Sequence, residues 1–165
     1  MNGLDKMVEN PRCELEHKSP FELLVAVILS AQCTDNRVNQ VTDELFKTYN
    51  KPKDFVKISQ EELEKKIHSC GFYHNKAKSI KSASRDIIER FNGKVPENFD
   101  DLLTLAGVGR KTANVVMAVA FGGDNFAVDT HVLRVSNRLG LVNTKDPNKC
   151  EEELCKIFPK NTWSK

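Results

Sequence analysis

The sequence predicts an all-α protein, and three observations support this. Helix-capping residues recur along the chain, apolar residues follow them at helical spacing, and the alternating patterns typical of β-strands are nearly absent. The predicted loops are short, as they are in compact helical folds. A chain of 165 residues can form one domain, or one domain and part of a second.

Six helices are predicted before residue 122. Ser19-Pro20-Phe21-Glu22 shows how a start is recognised, because it combines an N-cap serine, a proline in the first turn and a capping-box glutamate. The nearly continuous apolar stretch after it predicts a helix at the centre of the core. The six predicted helices begin after Ser19, at Thr34 or Asp35, after Ser59, at Lys76, after Asn98 and at Arg110, and the last three end at Phe91, Leu105 and Phe121.

Two further helices are predicted after the break at Gly122-Gly123. One runs from Asp129 or Thr130 to Arg138, and the other runs from Asp146 to Phe158. No internal repeat or low-complexity segment interrupts this order. Many helices with short loops imply a compact all-α fold.

The composition is that of an ordinary soluble protein and argues against a membrane partner. Hydrophobic residues make up 39% of the chain, and the apolar run that begins at Phe21 is too short to cross a bilayer. The N-terminus has no signal-peptide pattern, so an intracellular location is expected, in the cytoplasm or nucleoid if the source is bacterial. The net charge is only +2, so a nucleic-acid-binding protein of this composition must concentrate positive charge on one face.

The cysteines predict reduced thiols and no metal site. Their number is odd, and none of their spacings matches the Cys-x-x-Cys pairs of zinc and redox sites. Scattered cysteines of intracellular proteins are normally kept reduced. The five residues are Cys13, Cys33, Cys70, Cys150 and Cys155.

The segment Gly107-Val108-Gly109 joins two predicted helices through a tight turn. The first amides of the second helix have no partner within it and carry the positive end of its dipole, so they can hold a phosphate. A turn that only packs two helices has the same pattern, and glycines alone favour that interpretation. Arg110 and Lys111 follow immediately and favour a contact with the DNA backbone, which carries no base specificity.

Lys111 and Asp129 supply chemistry that a phosphate-binding turn does not need. An amine can act as a nucleophile, and a nearby carboxylate can activate it. Each residue also has a simpler explanation, since a lysine at a helix start can be merely solvated and an aspartate before a helix can be its cap. Capping and catalysis are compatible for Asp129, because capping fixes the orientation of the carboxylate.

Residues 107–116 and 127–131 resemble the endonuclease III family of DNA glycosylases, which belongs to the helix-hairpin-helix superfamily. Residues 19–24, 30–35 and 71–77 also resemble it, so the resemblance covers about residues 19–160. It implies the helix-hairpin-helix DNA glycosylase fold. The six-helix domain would span residues 13–123, and residues 1–12 and 124–165 would form part of a second helical lobe whose C-terminal portion is absent.

The resemblance implies a bifunctional DNA N-glycosylase and AP lyase that removes oxidised pyrimidines in base excision repair. Lys111 would attack C1′ of a flipped nucleotide, release the base and cut the strand by β-elimination through a Schiff base, with Asp129 assisting. The expected partner is double-stranded DNA with a damaged base or an abasic site, and the protein is expected to be a monomer. The alternatives are a non-catalytic DNA-binding module and a monofunctional glycosylase, and Lys111 argues against both.

Further positions match residues that meet DNA in the family. The hairpin residues Gly107, Val108, Gly109 and Arg110 would contact the backbone, and His131 would line the pocket or meet a phosphate. Gln32 matches a glutamine that enters the duplex beside the vacated base, although a polar residue at a helix end is the simpler explanation. Phe72 matches an apolar wedge between bases, although a loop phenylalanine is more often part of the core.

The sequence departs from the family pattern at two places. Ala106 stands where the family usually has proline, which should loosen the hairpin slightly. The four-cysteine motif that binds a [4Fe-4S] cluster in most members would lie beyond residue 165. We therefore expect no cofactor in this chain and a cluster only in a full-length member, and truncation is favoured over a member that lacks the cluster. A version extended through the cluster is expected to be more stable and to bind DNA more tightly.

Overall fold

The computed structural model describes residues 13–163, so the assignment of residues 1–12 to the second lobe lies outside the described residues. All regular elements in this range are helical, which confirms the all-α prediction. The α-helices are α1 Pro20–Ser30, α2 Asp35–Thr48, α3 Pro52–Lys57, α4 Gln60–Ile67, α5 Tyr73–Arg90, α6 Phe99–Leu103, α7 Arg110–Phe121, α8 Thr130–Arg138 and α9 Pro147–Ile157. Short 3-10 turns occur at His68–Cys70 and Lys160–Thr162.

The predicted helix caps are present as side-chain hydrogen bonds. The side chains of Ser19, Thr34, Ser59, Asn98, Asp129 and Asp146 each accept a backbone N–H of the helix that follows. The predicted capping-box glutamate Glu22, and Glu62 at the same position relative to Ser59, bind elsewhere. Glu22 accepts the amide of Lys18 at 2.6 Å, and Glu62 accepts the hydroxyl of Tyr49 at 2.8 Å. Local capping therefore sets where the helices begin.

The sequence analysis missed the helix α3. This helix has six residues, too few to show a periodic apolar stripe, and is fixed by one fully buried side chain, Phe55, and by Asp54, which accepts the amide of Lys51 at 3.0 Å. Helix α5 begins at Tyr73 rather than at Lys76, because Phe72 reverses the chain in a left-handed conformation. Helix α6 ends two residues earlier than predicted.

Helix α1 lies at the centre of the larger hydrophobic core, as predicted. All of its residues from Phe21 to Leu29 are buried, and it packs against α2, α5 and α7. The larger cluster draws its buried residues from Leu15 to Val116. A second, smaller cluster is built around Val128, Val142, Cys150 and Leu154. The predicted lobe boundary after residue 123 falls between these two clusters in the sequence, and the division into lobes stays a prediction.

No helix within residues 13–163 is long and apolar enough to cross a membrane. The five cysteines are free thiols in the structure.

Candidate active site and nucleic-acid interface

The turn between α6 and α7 requires glycine at its first position. Gly107 has a φ of +78°, and a Cβ atom added there would lie only 2.7 Å from the Cβ of Ser79 on α5. A side chain at this position would therefore be strained and would have to displace Ser79. Val108 turns its side chain into the core and donates its amide to the carbonyl of Leu105 at 3.2 Å. Any contact that Val108 makes with DNA would thus come through the backbone.

The start of helix α7 has no side-chain cap. Its N-cap residue is Gly109, and no side chain within residues 13–163 accepts the first amides of the helix, which belong to Arg110, Lys111 and Thr112. The helices that begin after Ser19, Thr34, Ser59, Asn98, Asp129 and Asp146 are all capped by an oxygen. Because uncapped N–H groups at the positive end of a helix dipole attract anions, α7 presents the arrangement expected for a DNA phosphate.

Lys111 and Asp129 come together in space, as the sequence analysis required. The Nζ atom of Lys111 lies 3.9 Å from Oδ2 of Asp129, and the two side chains are 55% and 36% exposed. An exposed ion pair at this distance is a weak attraction. The amine is therefore directed by the carboxylate without being locked to it, and a large substrate can reach both groups.

The two carboxylate oxygens of Asp129 have separate partners. Oδ1 accepts the amides of His131 and Val132 at 2.9 and 2.8 Å and so caps helix α8, whereas Oδ2 lies towards Lys111. The capping explanation and the catalytic explanation for this residue are both compatible with the geometry. The cap fixes the rotation of the carboxylate and thereby holds Oδ2 on the side of the amine.

A network around Glu151 joins α7 to the second cluster. The guanidinium of Arg110 donates to both carboxylate oxygens of Glu151, at 3.0 and 2.7 Å, and the side-chain amide of Asn114 donates to Oε2 at 3.0 Å. Asn114 also donates to the carbonyl of Phe126 at 3.0 Å, and its own oxygen accepts the side-chain amide of Asn125 at 3.1 Å. The chain segment that leads to Asp129 is thus tied to the helix that carries Lys111.

Arg110 was predicted to contact DNA, and the structure shows that two of its three guanidinium nitrogens hold Glu151. A bidentate pair of this kind is strong and directional, and it raises the pKa of the Arg110 guanidinium. A phosphate contact from Arg110 would have to use the remaining nitrogen. Sequence reasoning missed Glu151 and Asn114. The sequence signal that could have revealed the polar network is Asn114, because an asparagine among the small apolar residues of this helix needs a hydrogen-bond partner when it is buried.

Gln32 and Phe72 lie on two exposed loops and share an unusual backbone conformation. Their φ angles are +54° and +47°, and in the described part of the chain the only other non-glycine residue with positive φ is Asn92. Asparagine adopts this conformation readily, whereas glutamine and phenylalanine rarely do. Residues strained in this way concentrate at functional sites. Phe72 is 66% exposed, so it does not belong to the core.

His131 occupies the first turn of α8, next to Asp129. Its imidazole is exposed, and Nδ1 lies 3.4 Å from a guanidinium nitrogen of Arg134. The backbone amide of His131 is engaged by Asp129. The structure therefore places His131 beside the candidate catalytic pair, and its role towards DNA stays a prediction.

Known proteins are similar to this chain in both sequence and fold. Residues 25–160 match the HhH-GPD superfamily of base excision DNA repair proteins. Endonuclease III of Bacillus subtilis is 53% identical over 165 residues, which cover 99% of this chain and 75% of the relative. The chain belongs to the endonuclease III family of the HhH-GPD superfamily. Endonuclease III of Escherichia coli is 44% identical over 94% of this chain and 75% of its own length.

Solved structures of endonuclease III and of another DNA glycosylase agree with the fold. A trapped covalent intermediate of endonuclease III with DNA superposes with a TM-score of 0.96 at 51% identity, covering 99% of this chain and 77% of that one. A thermostable thymine-DNA glycosylase superposes with a TM-score of 0.77 at 26% identity, covering 90% and 72%. The helix-hairpin-helix glycosylase fold expected from the sequence is confirmed.

The residues described do not form a site for an iron–sulfur cluster. Within residues 13–163 no group of three or more cysteine, histidine, aspartate or glutamate side chains is placed to hold a metal ion. The five cysteines are scattered along the chain, and none of their spacings matches a four-cysteine cluster motif. The cysteines present here therefore do not fit the [4Fe-4S] group that the family resemblance implies.

Proposed function

We propose that this chain is a bifunctional DNA glycosylase and AP lyase of base excision repair, with Lys111 as nucleophile and Asp129 as its partner. The endonuclease III relatives support the reaction class. The observation that carries the residue assignment is the 3.9 Å approach of the Lys111 amine to the Asp129 carboxylate beside a glycine-capped helix start. A module that only binds phosphate would need neither residue.

The chemistry begins when the Lys111 ammonium gives up a proton to Oδ2 of Asp129. The neutral amine attacks C1′ of the damaged nucleotide, and the bond from C1′ to the base breaks with its electron pair leaving on the base, which takes up a proton. The attached nitrogen, now a secondary ammonium, loses one proton, and the ring oxygen takes up a proton through Asp129 as its bond to C1′ opens, which leaves a protonated Schiff base. Water then takes a proton from C2′, and the bond from C3′ to the phosphate breaks with its electron pair leaving on the phosphate, which cuts the strand. Hydrolysis of the Schiff base later releases the lysine.

DNA binding would involve both loops and the hairpin. The amides of Arg110, Lys111 and Thr112 would hold a backbone phosphate near the reacting sugar, which positions the strand without reading its sequence. Gln32 and Phe72 would enter the duplex where the damaged nucleotide has left the stack, since extruding a base opens a gap that side chains can fill. Damaged bases leave the stack at lower cost, which favours lesions over intact pairs.

We assign oxidised pyrimidines as the preferred lesions, because in this family a lysine nucleophile at this position accompanies that preference.

The proposed catalytic pair lies where the two hydrophobic clusters meet in the sequence, since Lys111 lies on α7 of the larger cluster and Asp129 precedes α8 of the smaller one. A monomer with its substrate between two lobes accounts for this placement, and a DNA substrate agrees with the intracellular location expected from the sequence.

Borohydride trapping tests the proposed chemistry directly. The wild-type protein and the variants Lys111→Ala and Lys145→Ala are incubated with a duplex that contains an abasic site or thymine glycol, and the mixture is then reduced. The wild type and Lys145→Ala should form a covalent protein–DNA adduct, and Lys111→Ala should form none. Release of the base without an adduct would indicate a monofunctional glycosylase. Duplex binding with neither product would indicate the non-catalytic module.

A further inference from the structure

Lys76 is a buried lysine that the proposed mechanism does not use. Its side chain is 6% exposed, and its ammonium donates to two backbone carbonyls, those of Leu29 and Cys70, both at 2.8 Å. Among the residues described, the ion pairs do not include Lys76. Burial lowers its pKa. A buried ammonium without a carboxylate is costly to maintain, so its position calls for an explanation.

The two carbonyls that Lys76 binds stand at the roots of the two strained loops. Leu29 is near the end of α1, three residues before Gln32, and Cys70 ends the 3-10 turn, two residues before Phe72. The side chains of Gln32 and Phe72 are both exposed, and both residues are left-handed. The ammonium of Lys76 therefore lies between the chain segments from which the two loops proposed to enter DNA extend.

The thiols of Cys33 and Cys70 belong to the same two loops. Cys33 follows Gln32 and packs against the core that contains the buried Cys70. Burial, with the nearby Cys33, raises the pKa of Cys70 to about 11, so this thiol remains protonated and neutral beside Lys76. The hydrogen bonds that join the two loops at this place are therefore those of the Lys76 ammonium to its two backbone acceptors.

We infer that Lys76 is a positioning residue whose ammonium sets the spacing between Gln32 and Phe72 for insertion into DNA. The inference rests on the proposed function of the two loops. Fixed spacing matters because the two side chains must occupy one opened base step together, and a rigid pair loses less conformational freedom on binding. The alternative is a lysine that only closes the end of a helix.

The chain offers a matched control for that alternative in Lys81. This residue lies on the same helix α5, is partly buried, and donates to the carbonyls of Phe55, Val56 and Ile58. Burial lowers its pKa as well. It closes the C-terminal end of α3, which carries no candidate site residue. Removing either ammonium should destabilise the protein, but only Lys76 should affect the loops.

The experiment compares Lys76→Met, Lys81→Met and wild type in the whole chain. Melting temperature reports stability, and dissociation constants for a duplex with a tetrahydrofuran abasic analogue and for an undamaged duplex report lesion discrimination. Both variants should melt at lower temperature. Lys76→Met should lose about tenfold of the discrimination, whereas Lys81→Met should stay within about twofold of wild type. Lys76→Gln and Lys81→Gln give the same comparison if a methionine variant does not fold.

A second substrate separates this inference from the proposed function. Borohydride adducts with a single-stranded abasic oligonucleotide need no base extrusion, so wild type, Lys76→Met and Lys81→Met should form them equally. A wild type that forms no adduct with this oligonucleotide or with the abasic duplex would refute the proposed chemistry itself. Equal adducts together with equal lesion discrimination in both variants would overturn only the role of Lys76. A single-strand adduct reduced only in Lys76→Met would also overturn that role, because such a loss would mean that the substitution damages the catalytic site.

Discussion

The side-chain amide of Asn114 donates to the carbonyl oxygen of Phe126 at 3.0 Å. This contact links the helix of Lys111 to the segment that runs into Asp129, and the same amide also holds Glu151. The contacts of Asn114 therefore help to fix the distance between Lys111 and Asp129, although Asn114 is not itself a member of the pair. A cross-link of this kind can be tested separately from the catalytic groups.

Replacing Asn114 by alanine should reduce adduct formation more than stability alone explains. The change leaves the partly buried carbonyl of Phe126 without this donor, which costs about 0.5–1.5 kcal/mol, the usual net contribution of a hydrogen bond. It also frees the Asp129 segment to move relative to Lys111. Thr42→Val is a suitable control, because its buried hydroxyl bonds only within α2. Adduct rates are measured well below both melting temperatures, and equal rates in the two variants would contradict a role in positioning.

Two substitutions of Asp129 should separate capping from catalysis. Asp129→Asn keeps an oxygen for the amides of His131 and Val132 but removes the charge that faces Lys111, whereas Asp129→Ala removes both. Adduct formation should fall by about 100-fold in each, the usual range for loss of a general base. Only the alanine variant should lose about 1 kcal/mol of unfolding free energy with its cap. An asparagine variant with wild-type rates would show that Asp129 serves only as a cap.

Gly107→Ala should destabilise the protein more than Gly93→Ala. The two glycines have nearly equal φ angles, +78° and +79°, so alanine meets the same backbone strain at both. At Gly93 nothing lies within 4 Å of the added Cβ, whereas at Gly107 it would lie 2.7 Å from Ser79. Overpacking should add about 1 kcal/mol or more. Chemical denaturation measures the difference, and equal losses would mean that the hairpin does not rest on α5 as described.

Phe72→Ala should weaken lesion binding without lowering the melting temperature. The ring is 66% exposed, so its removal uncovers no core surface. Loss of a wedge between bases should reduce affinity for the abasic-analogue duplex by about tenfold. The undamaged duplex provides the internal comparison. A lower melting temperature with unchanged affinity would assign Phe72 to packing.

The helices with long apolar stripes or capping residues could be predicted from the sequence, because those signals are local. Helix α3 could not, since one buried residue, Phe55, decides it through tertiary contact. The hairpin and the spacing of Lys111 and Asp129 were recognisable as a motif. The pairing of Arg110 with Glu151 was not, because the residues are 41 positions apart and only the folded chain brings them together. The roles assigned to Gln32 and His131 stay predictions.

The left-handed conformations of Gln32 and Phe72 imply a trade between stability and function. Each residue costs the fold about 1 kcal/mol relative to a glycine in the same conformation. Glycine would relax both loops but would remove the side chains proposed to fill the duplex. Selection for thermostability alone should therefore favour glycine at these two positions, whereas selection for repair should favour glutamine and phenylalanine despite their backbone strain.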